Sequence, residues 1–286
     1  MVASVPERLH LGEAWCDARL MQLHERNTEF SWRQPGPPFR RVTDDQARAY
    51  GEAGGFIYED AFTAEEIAEV CAAVDPLEAE AEAFLLGQER PRFGISRAGE
   101  IIFNPHLVAR AETLRAFSKH EIFRDLVCDL IGPDVRLYWD QLVYKKPGAQ
   151  DEFPWHQDNG YTFVEPQQYL TCWVALTDAT LDNGCPWIAP GQHVHGTLAH
   201  QWTPLGFRCE VDADRVQVLP LKAGSIAVFS SLTPHRTGPN MTGGTRKAYI
   251  LQYAPGGAMV YPHKAPRAPA DNEDWQYWIL RNGSAA

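Results

Sequence analysis

The chain has 286 residues, a formal charge of -11 at pH 7 and a sequence pI near 5.4. With 44% hydrophobic and 22% charged residues it has the composition of an ordinary globular protein, which excludes a disordered or fibrous class. It lacks the basic footprint that neutralises phosphates, arguing against nucleic acid and anionic membranes as partners, and no apolar run approaches the ~20 residues that span a bilayer.

Residues 1–40 are polar and irregular and end in the turn-rich stretch Gln34 to Pro38, an arm or surface loop. Thr43-Asp44-Asp45-Gln46 has the form of a capping box and opens a first helix, which Gly54-Gly55 ends. Phe56 to Tyr58 reads as a short strand. A second box, Thr63-Ala64-Glu65-Glu66, opens a helix that continues through the acidic, alanine-rich Leu77 to Leu86, whose carboxylates read as a solvated face. A third helix is predicted from Glu121 to Ile131, stopped by Gly132-Pro133. Residues 41–133 therefore form a mainly helical support.

After Pro133 the texture changes to short runs rich in Val, Ile, Tyr, Phe and Trp. The predicted strands are Val135 to Tyr144, Tyr169 to Leu176, Pro186 to Ala189, Val216 to Leu219, Ser225 to Phe229 and Lys247 to Tyr253, with a turn at Asp182-Asn183-Gly184. The expected class is mainly β: a double-stranded β-helix (jelly roll) over 134–256, with supporting N-terminal helices and a C-terminal tail over 257–286, all in a single domain of 1–286.

The chemistry-bearing residues cluster in that β-rich part. In Trp155-His156-Gln157-Asp158, the imidazole and the carboxylate two residues on share one side of an extended segment. Farther on, a strand runs into Leu232-Thr233-Pro234-His235. Two histidines and one carboxylate, His156, Asp158 and His235, make a facial triad that leaves open positions on iron(II) for a keto acid and O2. Arg246, at the start of the last strong strand, offers a guanidinium fork for a distal carboxylate, and Thr237 adds a hydroxyl. Each residue alone has an ordinary structural explanation; together they point to an iron site with a carboxylate anchor.

These pieces resemble the phytanoyl-CoA dioxygenase family of Fe(II)/2-oxoglutarate-dependent oxygenases. The resemblance runs from Pro154 to Ala254 and is carried by Trp155 to Asp158, Trp173 to Asp178, Asp182 to His193, Ala223 to Phe229, and His235 followed by Arg246. More loosely, Gly54 to Tyr58 and Phe62 to Glu66 look like the family's opening strand and helix. The resemblance implies His156, Asp158 and His235 as iron ligands and Arg246 with Thr237 as the anchor of the 2-oxoglutarate C5 carboxylate. It implies Trp173 as the flanking aromatic, and Gln141 and Lys145 near the cosubstrate pocket. The related halogenases carry Ala or Gly in place of the carboxylate, so Asp158 implies hydroxylation or a similar oxidation, with 2-oxoglutarate and O2 converted to succinate and CO2.

His193 matches a structural position of the family, and His195 and His200 are expected as exposed polar residues of the following loop. Among the aromatics around the metal segment, Tyr161, Trp187 and Phe153 are the candidate walls of a pocket for a small, hydrophobic or ring-containing substrate. The six scattered cysteines read as reduced thiols. The charged opening stretch with Glu7, Arg8, Glu13, Asp17 and Arg19 does not read as a secretory signal, so a cytoplasmic location is expected. Nothing in the chain specifies an oligomeric state. The alternatives are a catalytically silent jelly-roll binding module, which would not need all four of His156, Asp158, His235 and Arg246, and a cupin-like metal enzyme of another type, which would have no use for Arg246.

Overall fold

The computed structural model describes residues 21–212 and 214–286; residues 1–20 of the expected N-terminal arm lie outside them. Both capping boxes form. The Thr43 hydroxyl accepts from the Gln46 amide, and the Gln46 side chain accepts from the Thr43 amide, opening helix α1 (Asp44–Ala53). Gly54, in the left-handed region at φ 85°, closes it. Strand β1 (Gly55–Tyr58) follows, then helix α2 (Ala64–Leu86), begun by the Thr63–Glu66 box. The acidic face of α2 is not uniformly solvated: Glu80 is exposed, but Glu78 is buried, and both Glu78 and Glu82 pair with Lys146 at 2.5 Å. Strand β2 (Ile101–Pro105) and the short helix α3 (Glu112–Phe117) stand in a stretch that gives no strong periodic signal, and helix α4 (Glu121–Leu130) falls where expected.

Eight strands then build the jelly roll: β3 (Val135–Lys145), β4 (Phe153–His156), β5 (Leu170–Ala175), β6 (Pro186–Ile188), β7 (Gln217–Val218), β8 (Ile226–Ser230), β9 (His235–Thr237) and β10 (Arg246–Pro255). The larger sheet runs β1-β8-β5-β10-β3-β2 and the smaller β7-β6-β9-β4, with antiparallel pairing throughout. The C-terminal stretch is more than a tail, because β11 (Trp278–Arg281) pairs with the first residues of β3.

Period-2 alternation gives the larger sheet two distinct faces. Leu142, Tyr144, Cys172, Val174, Val228, Tyr249 and Leu251 form a core with Val70 and Val74 of α2 and Phe123, Leu126 and Val127 of α4. Val143, Trp173, Ala175, Ala227, Phe229, Ala248 and Ile250 face the smaller sheet instead. Emptying a site such as Phe123 costs about 3–5 kcal/mol in lost transfer and cavity energy. A β-bulge interrupts the β3–β10 ladder: Gln252 faces Trp139, but Tyr253 faces Leu137, so Tyr138 is the extra residue.

Candidate active site

The metal triad is assembled by strand pairing. His156 ends β4 and His235 begins β9, and the register sets these two residues directly opposite one another. Asp158 follows on a single 3-10 turn, Asp158–Gly160. One ligand atom from each residue falls within 4.8 Å of the others; His235 Nε2 and His156 Nε2 lie 3.7 and 4.0 Å from Asp158 Oδ1. His156 Nδ1 donates to the Pro154 carbonyl at 2.8 Å and His235 Nδ1 to the Thr233 carbonyl at 3.0 Å. Since a carbonyl only accepts, the proton sits on Nδ1 and each Nε2 lone pair is free for a cation. Burial, then the neighbouring His235, holds the His156 pKa well below its ordinary value, favouring the neutral ligand form. Thr171 donates to Asp158 Oδ2, leaving Oδ1 toward the two histidines.

Gln157, between two ligands, is fully buried. Its amide donates to the Gly196 and Leu232 carbonyls at 3.0 and 2.6 Å and accepts from Leu198 N at 2.6 Å. Its backbone N–H donates to His200 Nε2 at 2.9 Å, and His200 Nδ1 donates to the Leu198 carbonyl. His200 is therefore not an exposed loop residue. It packs under the metal loop, where burial pushes its pKa down to about 4. His195 is half-buried; His193 is fully buried against Trp32, 3.2 Å from the Gly51 carbonyl. Among the described residues, His156, Asp158 and His235 form the one group positioned to hold a metal.

A cavity of about 270 Å³ opens from the triad along β10. At its far end Arg246 is fully buried. Its Nε and Nη2 have no hydrogen-bond partner among the described residues, and Nη1 reaches the Val143 carbonyl only at 3.5 Å. Its guanidinium carbon lies 5.1 Å from the centre of the Trp173 ring. Burial lowers its pKa to about 10, so it remains charged at neutral pH. A buried cation with unpaired donors has the chemistry to receive an anion, because burying an uncompensated charge is costly.

Thr237, Gln141, Phe153 and Tyr161 also line the cavity. Lys145 lies behind this wall: its Nζ donates to the Gly238 carbonyl at 2.5 Å and to Thr237 Oγ1 at 3.4 Å, and burial, then Arg246, depresses its pKa to about 7. Trp187 stands off the cavity, with the Arg236 guanidinium 4.5 Å above its ring. Sequence reasoning missed Tyr138, Trp139, Tyr169, Thr171, Phe229, Ile250 and Gln252, all of which border the cavity. Alternation could have found Thr171, Ile250 and Gln252, two-residue steps from Trp173 or Arg246; no pattern signals Tyr138, which the bulge re-aims.

The family model "Phytanoyl-CoA dioxygenase (PhyH)" matches residues 50–248, a span holding the triad and Arg246. The chain belongs to the phytanoyl-CoA dioxygenase family. A phytanoyl-CoA dioxygenase of Arabidopsis thaliana is 30% identical over 120 residues, covering 38% of this chain and 41% of that protein, so the chain spans less than half the length of this relative. A probable alpha-ketoglutarate-dependent hypophosphite dioxygenase of Stutzerimonas stutzeri is 25% identical over 226 residues, covering 73% of this chain and 78% of that protein. Among solved structures, a non-heme alpha-ketoglutarate-dependent carbocyclase from nogalamycin biosynthesis superposes with a TM-score of 0.69 at 20% identity, covering 84% of this chain and 98% of that one, which supports the jelly-roll fold. No helix among the described residues is long and apolar enough to cross a membrane.

Proposed function

We propose that this chain is a non-haem iron(II), 2-oxoglutarate-dependent dioxygenase of the hydroxylase type, oxidising a small, hydrophobic or ring-containing molecule as 2-oxoglutarate and O2 become succinate and CO2. The carrying observation is one cavity bearing an oriented His-Asp-His triad and, at its other end, a fully buried guanidinium with unpaired donors. The donor set fits the metal: two neutral imidazoles and one carboxylate on one side leave positions open. Arg246 fits the cosubstrate, since a fork accepts a carboxylate in two bonds where an ammonium makes a point contact. Iron(II) with bound cosubstrate supplies the oxidising chemistry.

The chain's own residues orient and exclude. Pro154 and Thr233 carbonyls fix the imidazoles, Thr171 fixes the carboxylate, and Gln157 with His200 fixes the intervening backbone. Trp173 walls the cosubstrate between the metal and Arg246, with Gln141 alongside and Lys145 bracing Thr237 from behind. The apolar walls keep water from the reacting centre. The family name and the alpha-ketoglutarate-dependent relative support this reading. The five described cysteines are free thiols, and we assign the protein to the cytoplasm.

The test is an anaerobic titration of metal-free protein with iron(II) and 2-oxoglutarate, following the weak visible charge-transfer band of the chelate. The band should vanish in His156→Ala and require far more 2-oxoglutarate in Arg246→Ala. Absence of the band from well-folded wild-type protein would sink the proposal.

A further inference from the structure

The cavity has a second polar end that neither the metal nor the cosubstrate uses. Tyr138, Tyr169 and Gln252 border it and are buried, and no side-chain atom of the three hydrogen-bonds to another described residue. The Tyr138 and Tyr169 rings meet edge to face at 5.2 Å, and Gln252 stands opposite Trp139, the neighbour of Tyr138, and pairs across β5–β10 with Thr171, the residue that clamps Asp158. The bulge in β3–β10 makes the group possible. Adjacent residues of a regular strand face opposite sides, yet Tyr138 and Trp139 both border this cavity. Arg246 and Gln252 are six positions apart on β10, about 20 Å at strand rise, so this group lies at the other end of β10 from Arg246.

The charge inventory is equally specific. Among the described residues, Asp158 and Arg246 are the only charged side chains lining the cavity, and the oxygenase reading assigns one to the metal and one to the cosubstrate. An anionic or cationic substrate would meet no counter-charge there and would bear the cost of desolvation unpaired. Size sets a further limit. An apolar cavity of roughly 150 Å³ holds a benzene ring, so about 270 Å³ accommodates the five-carbon keto acid and roughly one ring.

From these observations we infer that the Tyr138–Tyr169–Gln252 end is the substrate subsite, and that it takes an uncharged molecule presenting one ring with a carbonyl or hydroxyl oxygen. The Tyr138 and Tyr169 hydroxyls are the donors to that oxygen, the Gln252 amide offers a further polar partner, and Trp139 supplies an apolar wall. This deepens the oxygenase reading and rests on it: the substrate class excluded is the phosphorus oxyanion named for one relative and any ligand whose buried part is charged.

The test uses three probes of nearly one shape: benzamide, benzoate and benzylammonium. With iron(II) and saturating 2-oxoglutarate, anaerobically, benzamide should perturb the charge-transfer band with an affinity at least about tenfold above either charged probe. Tyr138→Phe and Gln252→Leu should each weaken benzamide about 3- to 10-fold, the worth of one neutral hydrogen bond, with 2-oxoglutarate affinity unchanged. Benzoate or benzylammonium binding as tightly as benzamide, or a double variant that binds benzamide like wild type, overturns the subsite. If no band forms, the oxygenase reading fails, and calorimetric titration of the same probes into metal-free protein still decides the subsite by the same ranking and the same variants.

Discussion

Arg246 is a buried charge that no described residue balances, and that has a measurable consequence in metal-free protein. Its Nε and Nη2 are without partners inside a cavity wall. Replacing a buried, unpaired charge by an apolar side chain of similar reach is commonly stabilising. Arg246→Met should therefore raise the melting temperature of the metal-free protein by a few degrees, at roughly 2–4 °C per kcal/mol for a chain of this class. Adding 2-oxoglutarate should raise the melting temperature of wild type and leave the variant unmoved. A variant that melts lower than wild type would mean that Arg246 supports the fold and not an anion. Asp140 makes a different case at the same scale. Its Oδ2 accepts from the Leu107 and Val108 amides and the Tyr249 hydroxyl, Oδ1 has no partner, and burial raises its pKa to about 6. The folded state then holds the proton more tightly than the unfolded chain, so this group's destabilisation is absent below pH 3.8 and grows as pH rises to about 6. Denaturant unfolding of Asp140→Asn should gain on wild type by on the order of 2–3 kcal/mol between pH 4 and pH 6.5. A constant difference across that range would refute the assignment.

The elements show how a loop is made rigid enough to hold a metal. The turn after β4 carries Asp158, and its backbone is fixed by Gln157 and by His200, which reaches across from the segment after β6. Gly160 packs so closely that a Cβ there would sit 2.1 Å from the His200 ring. His200→Ala should weaken metal binding by about 10- to 100-fold, as loss of an orienting partner does elsewhere, while His195→Ala should not; a cobalt(II) titration of metal-free protein reads both. Equal effects of the two substitutions would leave His200 a packing residue. Much of this was legible beforehand. Both capping boxes, strands β3, β5, β6, β7, β8 and β10, and the grouping of His156, Asp158, His235 and Arg246 follow from local residues whose meaning does not depend on distant partners. What escaped depends on partners: Glu78 looks like a surface carboxylate until Lys146 is brought beside it, and His200 looks like a loop residue until Gln157 is. Tyr138 escaped because a bulge breaks the alternation from which a strand's faces are read. β2, α3 and β11 are short elements held by pairing and packing on the larger structure, so their own periodicity says little.

At the scale of the molecule, the two sheets have unequal support. The larger sheet is buried on both faces, with α2 and α4 covering the outer one and the cavity walls forming the inner. The smaller sheet consists of strands of two to four residues and carries His156 and His235 on β4 and β9. A metal bound by His156, Asp158 and His235 therefore cross-links the weaker half of the jelly roll, while the helical layer gains nothing directly. At a hundredfold excess over its dissociation constant, a ligand that binds only the folded state adds about 2.7 kcal/mol, so metal should raise the melting temperature by roughly 5–10 °C. Local opening free energies differ across a fold, so the gain should be uneven. Hydrogen exchange should slow most at Phe153 to Gly160 and Thr233 to Thr237, and least in α2 and α4. His156→Ala should abolish the difference between halves without changing exchange in the helices. Uniform slowing throughout the chain would show that the smaller sheet opens only when the whole domain does, and that the metal reports on global stability instead of clasping one sheet.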